Sequence, residues 1–256
     1  MRRCTNVAIS YVPGIIAVIL IISTNVAVLT SDRNRMIALT REDGIVEYSA
    51  VLFYLVSAGL MFILFGKSAS FRRAYLFGSR RNISFLVIGV LFLIFAGEEI
   101  SWGQRILNYE SPDFLLQANR QGETTLHNLN FWEALDTEGN QKYGIVRFFS
   151  SAALYSYFWL TLCLILPILD KVWLNANQFL KEAGAPVINI FYGVLFTLNY
   201  VVFEMLERAS IEPRPVGEIK ETNSALLFLA VSIYITVKYD QSTAFRAIHF
   251  GTPHPS

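Results

Sequence analysis

Six apolar runs in this 256-residue chain, at about 7–29, 44–65, 83–101, 146–169, 186–207 and 222–239, each approach the ~20 residues that a helix needs to cross a bilayer. Lipid offers no water to satisfy backbone N–H and C=O groups, so a crossing segment of this kind must be helical. The expected fold is all-α: a polytopic transmembrane helix bundle of about six spans, forming one domain over residues 1–240 with a tail at 241–256. Composition agrees, since 54% of residues are hydrophobic and only 16% charged, which is rare in a soluble domain. The N-terminal run is as long as a span rather than a signal-peptide core, so it is expected to remain as the first helix.

Basic residues set the expected orientation. Residues 66–82 carry Lys67, Arg72, Arg73, Arg80 and Arg81 and no acid, which places this loop in the cytoplasm by the positive-inside tendency. Arg2 and Arg3 put the N-terminus on the same side, and alternation brings the C-terminus there too. Residues 30–43, 102–145 and 208–221 then face outward. The long outer loop 102–145 is expected to hold a short surface helix from Asp113 to Gln121, with Ser111 as its cap and Pro112 in its first turn. Gly89, Gly97, Gly193 and Ala152 or Ala153 are expected to let helices approach closely.

Acids gather at the ends of the runs that face outward. Glu42, Asp43, Glu47, Glu98, Glu99, Glu204, Glu207, Glu218 and Glu221 all lie there, against the bases Arg41, Arg105, Arg208, Arg214 and Lys220. Charged side chains at membrane depth are costly and commonly functional. The segment Phe95-Ala96-Gly97-Glu98-Glu99-Ile100-Ser101-Trp102-Gly103-Gln104-Arg105 is the densest of these regions. If its helix continues, Glu98, Trp102 and Arg105 share one face, and Glu99 lies about 100° away, towards the bundle. Glu204 and Arg208 have the spacing of an intrahelical ion pair.

The expected catalytic groups are Glu98, Glu99, His127 and Glu47. Carboxylates and a neutral imidazole can exchange protons with a substrate or activate water. Trp102, Gln104, Arg105, Asn119 and Asn128 are the expected substrate-binding residues, with Arg105 suited to an anionic headgroup. Glu99, Glu204 and His127 form a possible ligand set for a divalent cation, and oxygen-rich donors favour Ca²⁺, Mg²⁺ or Mn²⁺. The net charge of +1, with no basic tail, argues against nucleic acid as a partner. Two cysteines, Cys4 and Cys163, are too few for a disulfide framework, and there is no P-loop, dinucleotide glycine pattern or Cys/His metal spacing.

The Phe95–Arg105 segment, with Asn119-x-Gln121-x-Glu123 and His127-Asn128 downstream, resembles a group of uncharacterised bacterial multi-pass membrane proteins. The resemblance covers mainly residues 42–130. It implies a bacterial inner-membrane location and brings no activity with it. Three functions are compatible with the residues: an enzyme acting on a membrane lipid or lipid-linked glycan at the outer leaflet, a non-catalytic subunit binding a membrane-protein partner, and an ion-coupled transporter. The acids' position at one end of the spans, without repeat halves or broken helices, counts against the transporter.

Overall fold

The computed structural model describes residues 2–41, 44–70, 74–119, 124, 125, 129, 148–211 and 213–250, with backbone alone for 2–10, 105, 117, 118 and 242–250. It is an all-α bundle. In chain order the helices are α1 (Arg2–Leu29), α2 (Arg33–Thr40), α3 (Ile45–Lys67), α4 (Ile83–Glu99), α5 (Gln104–Leu107), α6 (Asp113–Ala118), α7 (Ser151–Leu160), α8 (Leu166–Val172), α9 (Leu174–Ala183), α10 (Ile190–Ala209) and α11 (Pro213–Phe250). A five-residue π segment, Thr161–Ile165, joins α7 to α8.

Among the described residues, five stretches are long and apolar enough to cross a membrane: Tyr11–Leu29, Arg33–Lys67, Ser151–Val172, Ile190–Ala209 and Pro213–Gln241. The chain is a multi-pass integral membrane protein. The expected span at 83–101 corresponds to α4, whose 17 residues extend about 25 Å at 1.5 Å per residue, a little short of a full crossing. It lies antiparallel to α3. Phe62 crosses it at Gly89, where a Cβ would come within 2.8 Å of the Phe62 ring, and the Asn82 N–H donates to Ser68 Oγ at 2.9 Å.

α11 departs most from the sequence-based boundaries. The expected span began at 222, whereas the helix starts at Pro213 and carries Glu218 and Glu221 within it. Proline is tolerated in a helix's first turn, where its missing N–H has no intrahelical partner anyway. α11 is also the central helix, packing on α1, α3 and α10. Residues Ala225, Leu227, Phe228 and Val231 are fully buried along it.

The core is aromatic. Phe228 lies among Phe196, Phe92, Phe158, Tyr155 and Tyr54, with ring centroids 4.6–6.3 Å away. These rings form a floor beneath one end of the bundle, the end where α3 and α11 begin and α4 and α10 finish. The opposite end carries the α3–α4 connection and α9.

Candidate functional site

α4 does not continue past Glu99. Its last turn runs into Ser101, Trp102 and Gly103, with φ of 47°, 53° and 82°. The helical face expected to align Glu98, Trp102 and Arg105 is therefore replaced by a left-handed turn. Each non-glycine residue in that conformation costs roughly 1–2 kcal/mol, so local contacts must hold it. The Trp102 ring folds back over Gly97, where a Cβ would come within 2.9 Å of the indole. Its Nε1 donates to Glu98 Oε1 at 2.6 Å, and Ser101 is buried beneath. Gly97 thus makes room for Trp102, rather than for a neighbouring helix.

Beyond the turn, polar side chains tie the loop down. Gln104 Oε1 accepts the Thr124 N–H at 2.7 Å, and the Ser111 and Thr124 hydroxyls lie 2.6 Å apart. Asn119 is buried, and its Nδ2 donates to the Thr125 carbonyl at 2.8 Å and the Thr125 hydroxyl at 3.0 Å. Asn119 also pairs with Leu129 in an isolated antiparallel bridge. In the short surface helix, α6, Pro112 occupies the N-cap position without any side-chain cap, and the Ser111 hydroxyl is spent on Thr124. Gln104 and Asn119, expected to bind substrate, have these polar atoms engaged in shaping the loop.

Five carboxylates converge at this end. Glu47 stands in the first turn of α3 and is only 7% exposed. Glu98 and Glu99 end α4, while Glu218 and Glu221 come from α11. Glu99 lies within electrostatic reach of Glu221, Glu218, Glu47 and Glu98. The arrangement depends on α11 meeting the start of α3, where Thr222 Oγ1 donates to the Val46 carbonyl at 3.1 Å. Glu221 is exposed and Glu98, Glu99 and Glu218 are partly exposed, so the group opens onto the surface at this end of the bundle.

Two phenols underlie the carboxylates. The hydroxyls of Tyr54 (α3) and Tyr155 (α7) are 3.1 Å apart, and Glu99 and Glu221 act electrostatically on both. Tyr155 also lies beside Ser224. Ser224 Oγ donates to the Lys220 carbonyl at 2.9 Å and accepts Asn199 Nδ2 at 3.0 Å, while Asn223 Nδ2 donates to Asn199 Oδ1 at 3.2 Å. A polar network thus runs from the carboxylates into the packed interior.

Glu204 stands elsewhere, on the α10 side of α11. It accepts Arg208 Nη2 at 2.9 Å and Lys220 Nζ at 3.4 Å, and Lys220 also donates to Glu207 at 2.7 Å. The intrahelical Glu204–Arg208 pair read from spacing is therefore joined across helices. His127 and Asn128 lie outside the described residues, as do Glu42 and Asp43, and Arg105 is described by its backbone in α5. Among the described residues no three His, Cys, Asp or Glu side chains are grouped as a metal site.

Sequence reasoning gave no role to Tyr54, Tyr155, Asn199, Asn223 or Ser224. The available signal was spacing. Tyr54 follows Glu47 by seven residues and Ser224 follows Glu221 by three, so each falls on its acid's helical face. No family model, curated protein or solved structure matches this chain.

Proposed function

We propose that this integral membrane protein is an enzyme of the bacterial inner membrane, acting on a lipid or lipid-linked glycan at the outer leaflet. The observation that carries the reading is the convergence of Glu47, Glu98, Glu99, Glu218 and Glu221, from three helices, over the Tyr54–Tyr155 pair. Crowded carboxylates can divide acid and base roles between them, and phenols beside them can donate or accept the transferred proton. Glu99 is the central group, with Glu47 and Glu98 as its partners and His127 as a second proton-transfer group from the loop. Trp102, 43% exposed, offers a sugar ring or glycerol backbone an aromatic face. Arg105 and Asn128 are assigned to the headgroup, and Gln104 and Asn119 to positioning the loop that carries it. An all-oxygen donor set suits Ca²⁺, Mg²⁺ or Mn²⁺. Metal analysis of wild type against the Glu99→Gln variant reads whether one is held.

Glu99→Gln keeps the side chain's size and hydrogen-bonding reach but removes its proton chemistry. The expected result is a loss of activity of about 100-fold or more, seen as failed complementation of a deletion strain. The melting temperature in detergent should stay near wild type. A second reading, a non-catalytic subunit, is favoured by the Glu204–Arg208–Lys220–Glu207 ladder, which has the form of a structural network. On that reading Glu99→Gln complements fully, or lowers stability by about 3–5 kcal/mol where a buried pair is broken.

The proposed orientation has its own test. In a background lacking Cys4 and Cys163, Glu110→Cys should react with an impermeant thiol reagent in intact cells and Ala74→Cys should not. Both positions are exposed, so the opposite pattern would reverse the assignment of the two ends.

A further inference from the structure

At the end of the bundle opposite the carboxylates, two elements present aromatic and basic groups side by side. The α3–α4 connection folds back on itself, with the Ser70 N–H donating to the Arg80 carbonyl at 2.9 Å and the Tyr75 N–H to the Ser79 carbonyl at 2.8 Å. Its tip is Phe77, which is 94% exposed and held at a φ of 56°. A left-handed phenylalanine turned wholly outward gains nothing from its own protein. Arg80 and Arg81 follow it and are exposed, the Arg81 guanidinium lying 5.5 Å from the Phe65 ring centre.

The connection is locked to the end of α9. Asn82 Nδ2 donates to the Gly184 carbonyl at 2.6 Å, and Gly184, at a φ of 70°, has no Cβ to strike the Tyr75 ring. α9 buries Leu180 and Ala183 against the bundle and leaves Phe179 62% exposed next to the exposed Lys181, while Trp173, just before it, is 58% exposed and Lys171, at the end of α8, is exposed too. Aromatic rings with flanking lysines on a short helix and on the junction that joins it to a span are the pattern of an element lying at the headgroup boundary. Among the described residues here, Lys67, Arg80, Arg81, Lys171, Lys181 and Lys238 outnumber Asp170, Glu182 and Asp240, and Asp240 already pairs with Lys67 at 3.6 Å.

We propose that the α3–α4 connection and α9 together form a docking surface for anionic phospholipid headgroups, with Phe77, Trp173 and Phe179 inserted among the acyl chains and Arg80, Arg81 and Lys181 holding the phosphates. The excess of positive charge selects an anionic over a zwitterionic headgroup, and the bilayer that the spans require brings that headgroup to this depth. This assignment is independent of the reading of the carboxylate end.

The test uses the purified full chain in mixed micelles containing equal phosphatidylglycerol and phosphatidylcholine, with retained lipid counted by native mass spectrometry. Wild type should retain phosphatidylglycerol about tenfold over phosphatidylcholine, and an R80Q/R81Q/K181Q variant should retain the two nearly equally. Equal retention by wild type, or an undiminished preference in a folded triple variant, would overturn the proposal. If the triple variant fails to fold, Lys181→Gln alone should lower the preference severalfold, and no change would count against it. Inorganic phosphate at matched concentration should leave the lipid bound; its release would assign the surface to free anions instead. A wild-type dimer that the triple variant loses would assign it to a second copy of the chain.

Discussion

Phe228→Ala should destabilise the protein by about 3–5 kcal/mol, the range for truncating a well-packed phenylalanine. Phe228 is fully buried at the meeting of α11 with α3, α4, α7 and α10, and its ring touches those of Phe196, Phe92 and Phe158 at centroid distances of 4.6, 5.2 and 5.3 Å. Within a membrane, helices associate through dispersion contacts and not through expulsion of water. A void at this point removes contacts from four helices together, and neighbouring rings cannot all relax into it. Reversible unfolding in mixed micelles reads the loss. The control is Leu52→Ala on the lipid-facing side of α3, where a 58% exposed side chain should change stability by about 0.5 kcal/mol or less. Comparable losses from both would mean that the ring cluster is not the core.

Gly193→Val should cost about 3 kcal/mol, at the upper end of overpacking effects. A Cβ at Gly193 would press onto the Cys163 carbonyl oxygen, and that clash is with backbone, which cannot rotate aside. The reason lies in Pro167. In a regular helix the N–H at position 167 would bond the Cys163 carbonyl, four residues earlier; proline has no N–H, and its ring crowds that same group. The chain answers with the π segment Thr161–Ile165, which turns the carbonyl towards α10. Only glycine lets α10 come that close. Pro167→Ala should recover part of the loss in the double variant, because it restores the donor that draws the carbonyl back into its own helix. Detergent melting of the two single variants and the double variant measures the coupling.

Several features were legible because they depend on local physics. Apolar runs of span length forced helices. The Glu204–Arg208 pair followed from helical spacing and is present at 2.9 Å. The close approach at Gly89 and Gly193 followed from their lack of a side chain within apolar runs. Where the reading failed, a tertiary contact had overridden local preference. Nothing around residue 101 announces a left-handed serine and tryptophan. They adopt that conformation because the indole finds both Gly97 and Glu98 behind it. Ser111 has the composition of a helix cap but meets Thr124, thirteen residues away, and α6 starts after Pro112 with no side-chain cap.

The amino-acid sequence by itself determined that this chain is an all-α membrane bundle with most of its acids at the ends of its apolar runs. Backbone groups in lipid must be satisfied within each segment, and ionisable groups are expelled towards the ends. Tertiary structure alone decided which acids meet. Glu99 keeps company with Glu221, Glu218 and Glu47 because α11 extends back to Pro213 and lies against the start of α3. Glu204 goes instead to Lys220 because α10 flanks α11 on another side. Spacing along one helix fixes which residues share its face, but the rotation of that face relative to its neighbours is set by how rings and glycines pack. Tyr54 and Tyr155, 101 residues apart, meet only after that packing is complete.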